Sequence, residues 1–141
     1  MSDTYKKVSK KELELLSHKD CVRFALFCAE QVRDSWENIP ECVAAIETVE
    51  RWLKGKAAEE ECKVAAYAAH DAAHDAADAA YYAAYYATYA AAYAYAAAYA
   101  AYVAAYATDG KPHLIEAQWE YYQELLHFDD IAEKLLLGGV V

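Results

Sequence analysis

An all-α fold, a compact helical bundle of four to five helices with long Ala/Tyr-rich central helices, is what this sequence predicts. Three observations carry that prediction. Of the 44 residues from Val64 to Ala107, 25 are Ala and 11 are Tyr, and none is Gly or Pro. Ala has the highest helix propensity of any residue, because it gives up no side-chain entropy and buries no polar group, so the block is helical. On either side of it apolar residues recur at intervals of three and four, and Gly and Pro fall where those stripes stop. The 141 residues fit one domain, with 1–16 as a flexible N-terminal extension and 57–107 as the Ala/Tyr-rich block.

The first helix is expected over His18–Glu37. Ser17 followed by Asp20 resembles a capping box, and Cys21, Phe24, Cys28, Val32 and Trp36 share one face. Asn38 is the predicted N-cap of the next helix, with Pro40 in its first turn, Val43, Ile46, Val49 and Leu53 as its stripe and Gly55 at its end. Glu59, Glu60 and Glu61 then place acids at a helix start, where the macrodipole favours them. As one helix, residues 57–107 would be roughly 75 Å long at 1.5 Å per residue. A domain of this size has a radius of gyration of only about 14 Å, so the block is expected to fold back on itself, with the break near Asp78. Thr108-Asp109-Gly110-Lys111-Pro112 stops the block. The last helix follows, lined by Leu114, Ile115, Trp119, Tyr122, Leu126, Ile131 and Leu135 and ended by Gly138 and Gly139. Trp36, Trp52 and Trp119 fall at or beside apolar stripes and are read as core.

Several function classes are excluded or disfavoured by composition. The net charge is -10 and residues 64–107 hold neither Lys nor Arg, which disfavours a nucleic-acid footprint and fits a basic partner better. All four Gly lie at helix ends, so there is no phosphate-cradling loop. Ala79–Thr108 is uncharged, but Val103 is its only branched aliphatic and it has no Leu, Ile or Phe; its phenols would need partners in lipid, so no membrane span is assigned. Cys21, Cys28, Cys42 and Cys62 form no CxxC pair and no secretory core precedes them, which leads one to expect reduced, buried thiols in a cytoplasmic protein.

The candidate site lies in the block. At 100° per residue Tyr67, Tyr81, Tyr85, Tyr99 and Tyr106 fall near one line, with Tyr82, Tyr86, Tyr89 and Tyr93 on one flank and Tyr95 and Tyr102 on the other. Tyr rings in this array either fill the gaps between close-packed Ala helices or line a groove that stacks on a base or an Arg. His70, His74 and Asp78 are spaced i, i+4 and i+8, beside Asp71 and Asp75. That face suits a divalent metal only weakly, since no HExxH and no further ligand accompanies it, so no metal and no cofactor is assigned. The expected partner- or ligand-binding residues are Tyr67, His70, Asp71, His74, Asp78, Tyr81, Tyr85, Tyr89, Tyr99 and Tyr106. No nucleophile accompanies the imidazoles, so the site is read as one of contact rather than catalysis.

Several pieces of the chain resemble the immunity-5-like family of bacterial and phage immunity proteins. They are Phe24–Glu30 (FALFCAE), Pro40 with Val43-Ala44-Ala45-Ile46-Glu47, Arg51-Trp52-Leu53-Lys54-Gly55-Lys56, Ala65-Ala66-Tyr67-Ala68-Ala69-His70, and Ala117-Gln118-Trp119 through Leu125-Leu126. The resemblance spans roughly residues 20–127, and the chain departs from the family in carrying Tyr where Ala, Arg or His is expected. It implies neutralisation of a protein toxin or defence effector by binding. The alternative is a sponge, of the kind phages carry, that holds a small nucleotide-like or aromatic signalling molecule in a Tyr-lined pocket. The extent of Ala/Tyr surface leads one to expect a homo-oligomer.

Overall fold

The computed structural model describes residues 6–73 and 82–137, with side chains over 6–72 and 82–127. Among the described residues every regular element is helical. They are α1 (Lys10–Leu13), α2 (His18–Gln31), α3 (Arg33–Trp36), α4 (Pro40–Leu53), α5 (Glu59–Ala73), α6 (Tyr82–Ala92), α7 (Ala97–Ala104) and α8 (Pro112–Leu137), with short 3-10 turns at Ala94–Ala96 and Ala105–Thr108. Among the described residues there are eight α segments, where four to five helices were expected. Two of the additional segments come from interruptions that no Gly or Pro announces, and α1, capped by Ser9, lies in the N-terminal extension.

The expected helix over 18–37 is broken at Val32, whose backbone leaves the helical region at φ -117° and ψ 30°. The bend turns Trp36 fully into the core, where its Nε1–H donates to the Ala29 carbonyl at 2.8 Å. Ser17 caps α2 as expected, its hydroxyl accepting from the Asp20 amide at 3.1 Å. Asn38 does not cap α4: Ile39 holds that position without a side-chain bond, and Pro40, which needs no amide partner, opens the helix. Gly55 at φ 76° and Gly110 at φ 82° end their segments in the left-handed conformation that glycine adopts without strain.

The Ala/Tyr block folds back. His70 of α5 meets Tyr82 and Tyr85 of α6, and Tyr67, one turn earlier, meets Tyr93 at the far end, so the two helices run antiparallel. The expected break near Asp78 lies outside the described residues. A second interruption comes at Tyr93, extended at φ -130° and ψ 96°, and it frees the last carbonyls of α6. One of them, Ala90, accepts from the Nε2–H of His18 at 2.8 Å, and His18 in turn rests on the Trp52 ring at 4.9 Å. An imidazole from 72 residues earlier thus caps α6 across the core.

Packing centres on α6, which touches α2, α4, α5 and α7, while α1 packs on α7 and α8 on α2. Its buried positions are Ala83, Ala84, Ala87, Thr88, Ala90, Ala91 and Ala92, residues small enough for four helices to approach one axis. Residues of the N-terminal extension enter this core: Val8, Leu13 and Leu16 are buried, and the Tyr122 hydroxyl donates to the Glu12 carbonyl at 2.8 Å. A polar bridge ties α8 to α2 and to the turn before α8. Buried Gln118 donates through Nε2 to Gln31 Oε1 at 2.9 Å and to Thr108 Oγ1 at 2.7 Å, and Gln31 Nε2 donates to the Leu114 carbonyl at 3.1 Å.

Candidate functional site

In the described part of the block most Ala go inward, while the Tyr rings are either exposed or half-buried at the edge of the core. Ala83, Ala84, Ala87, Ala90, Ala91, Ala100 and Ala101 are at most 2 % exposed, whereas Tyr67, Tyr95, Tyr99 and Tyr106 are 59 %, 85 %, 51 % and 46 % exposed. Close helix approach leaves no volume for a phenol inside, so each ring is displaced to the rim. The rings then pack on one another. Tyr85 contacts Tyr86 and Tyr89 at centroid distances of 4.8 and 5.7 Å, Tyr89 contacts Tyr93 at 4.6 Å, and Tyr93 contacts Tyr95 at 5.9 Å. His70 closes the other end of this ladder, 4.8 Å from Tyr85 and 5.8 Å from Tyr82. The Tyr67 and Tyr93 hydroxyls share a hydrogen bond of 2.9 Å that ties α5 to the end of α6.

Of the expected site residues, Tyr67, His70, Tyr85 and Tyr89 come together here. Asp71 points away, its side chain 89 % exposed and its carboxylate 3.9 Å from the His70 ring nitrogen. His74, Asp78 and Tyr81 lie outside the described residues. Tyr99 and Tyr106 do not extend the line of Tyr67 and Tyr85, because the interruption at Tyr93 resets the helical phase. Tyr99 sits near Tyr86, and Tyr106 near Tyr99 and Tyr102, with the Tyr102 and Tyr106 rings 5.1 Å apart. Missing from the expected site are Tyr82 and Tyr86, which line one recess with His70 and Tyr106, and Tyr93, which joins Tyr67 and Tyr89; their place on the flank of the helical projection was the available signal.

Two recesses adjoin the rings. One of about 260 Å³ is lined by His70, Tyr82, Tyr86, Val103 and Tyr106, with Ala83 and Ala107. Another of about 350 Å³ opens at the start of α7 between Tyr95 and Tyr99, opposite Lys10, Glu14 and His18. Among the described residues no three His, Cys, Asp or Glu side chains are grouped to hold a metal ion. No helix among them is long and apolar enough to cross a membrane.

The Tyr85 and Tyr93 phenols hold their protons more tightly than a free phenol. Burial, then the neighbouring Tyr86, Tyr89 and Tyr67, pushes Tyr85 up to about 12, and the hydrogen bond with Tyr67, then burial, pushes Tyr93 up to about 12. All four cysteines are free thiols; burial pushes Cys21, Cys42 and Cys62 up to about 11 and raises Cys28 as well. An acid whose folded pKa lies above its unfolded value contributes stability that is fully present below the unfolded value and is lost as pH rises through the folded one. The thiols start at 9.0 and Tyr85 at 10.0. The urea midpoint is therefore expected to hold from pH 7 to about 9 and to fall steadily as pH rises through about 11. A midpoint that rises over that range contradicts the assignment.

A family model described as Imm-5 like putative immunity protein matches residues 11–123, from α1 into α8. No curated protein and no solved structure gives a match.

Proposed function

Because the chain belongs to the Imm-5 like immunity-protein family, we propose that it is a non-enzymatic binding protein that neutralises a toxin or defence effector through its acidic, Tyr-rich helical surface. The observation that carries this reading is the inversion of the block, in which Ala is buried while Tyr67, Tyr95, Tyr99 and Tyr106 stand in solvent. Tyr67 also ties α5 to α6, but a core gains little from rings at its rim as exposed as Tyr95 and Tyr99. Rings there offer rigid contact area at the entropic cost of two torsions each, the property that makes Tyr frequent where proteins bind proteins. The net charge of -10 and the lack of Lys and Arg over 64–107 favour a basic partner and raise its rate of encounter. Four free, buried thiols support a cytoplasmic place of action, and uncovered Tyr faces support self-association into a homo-oligomer.

The test is recovery of the tagged full chain from its host, followed by native mass spectrometry. A protein companion retained by the wild type and lost by Tyr95→Ala/Tyr99→Ala is the expected result. A small mass released on denaturation, with no companion, replaces this reading with the ligand sponge. Recovery of the bare chain in both cases overturns the surface assignment.

A further inference from the structure

The Tyr ladder already carries a cation. The Lys63 ammonium stands over the Tyr93 ring, 5.3 Å from its centroid, in a half-buried side chain whose other partner is Glu60 at 3.7 Å. Elsewhere on the surface Lys7 stands over Tyr106 at 5.1 Å and Lys6 over Trp119 at 5.0 Å, so cation on ring is a recurrent contact of this fold. At Tyr93 the ring is also fixed: its hydroxyl is bonded to Tyr67, and the Tyr89 and Tyr95 rings pack against it. A ring so held is pre-organised, and the acids Glu59, Glu60 and Glu61 open the helix that faces it.

Resting on the binding reading above, we propose that Tyr93 is the seat of an arginine from a basic protein partner, which takes the place of Lys63. A guanidinium is planar and more weakly hydrated than an ammonium, so it stacks on a phenol face at lower desolvation cost. Displaced, Lys63 keeps Glu60 as a partner, and the exchange leaves no buried charge alone. Lys63 is therefore a placeholder that lowers affinity, and its removal should tighten binding.

The experiment is calorimetric titration of the full-length protein with hexa-arginine and hexa-lysine at low salt. Lys63→Met and Lys56→Met change the net charge equally, so any general electrostatic gain is common to both. Lys63→Met should bind hexa-arginine about threefold more tightly than Lys56→Met does, with a smaller difference for hexa-lysine. Tyr93→Phe keeps the ring and should keep that difference; Tyr93→Leu, verified as folded by circular dichroism, should abolish it. Equal affinities for the two Met variants, or a difference that survives Tyr93→Leu, overturn the proposal. If either occurs while the wild type still retains a protein companion from its host, the arginine seat fails and the neutralisation reading stands.

Discussion

Trp36→Ala is expected to cost about 3–5 kcal/mol, the range for truncating a large buried aromatic. The ring is fully buried, its indole N–H bonded to the Ala29 carbonyl at 2.8 Å and its face covered by the Arg33 guanidinium at 4.9 Å. It is the largest side chain in a core otherwise built mainly of Ala, Cys and Val, and it follows directly on the bend at Val32. Small neighbours cannot close the hole, since Ala has no rotamers with which to collapse into it. Against a total stability of about 5–15 kcal/mol, the loss brings the domain close to unfolding at ordinary temperature. Trp36→Phe should cost far less, because the Ala29 carbonyl also accepts from the Val32 amide at 3.1 Å and is not orphaned. Urea unfolding of the two variants separates the cavity from the hydrogen bond; an Ala variant within 1 kcal/mol of wild type would show that the site collapses.

Helical class was legible because two signals agreed, the propensity of Ala and the three-four spacing of the flanking stripes. Burial of Trp36 and the caps at Ser17 and Gly55 follow from local rules and appear where those rules place them. The interruptions at Val32 and Tyr93 were not legible. Propensity favours continuing the helix at both points, and only tertiary partners make stopping worthwhile: the pocket for Trp36 in one case, His18 at the Ala90 carbonyl and Tyr67 at the Tyr93 hydroxyl in the other. The Trp36 bond to Ala29 spans only seven residues across the bend, but the partners at Tyr93 are remote, 72 residues between His18 and Ala90 and 26 between Tyr67 and Tyr93, and no spacing rule finds them. The same interruption explains why the projected line of Tyr differs from the observed array. Tyr67, His70, Tyr85 and Tyr89 are joined by the α5–α6 pairing, but projecting Tyr99 and Tyr106 onto one continuous helix carried their phase across a break. The Gln31–Gln118–Thr108 bridge was missed for a related reason: isolated amides on helix faces read as surface until the fold brings them together.

In most helical domains a Leu added to the core is better tolerated than a buried aromatic ring removed, but for the exposed rings of this block the added Leu should be the costlier change. Ala84 and Ala91 of α6 are completely buried, in the helix that α2, α4, α5 and α7 all touch. Leu at either position adds three heavy atoms where backbones have approached to Ala-limited distance, and each is expected to destabilise by about 1–3 kcal/mol. The two sites lie roughly 10 Å apart along the helix, so the costs should nearly add in Ala84→Leu/Ala91→Leu. Tyr95→Ala and Tyr99→Ala, by contrast, remove rings that are 85 % and 51 % exposed and should move the urea midpoint by no more than about 0.5 kcal/mol equivalent. Measured side by side, these variants separate the two roles the block combines. Loss of stability confined to the Leu variants means that Ala builds the fold and leaves the phenols available for a partner. Stability lost on removing Tyr95 and Tyr99 would make those rings structural, and the case for a Tyr-borne binding surface would fall with them.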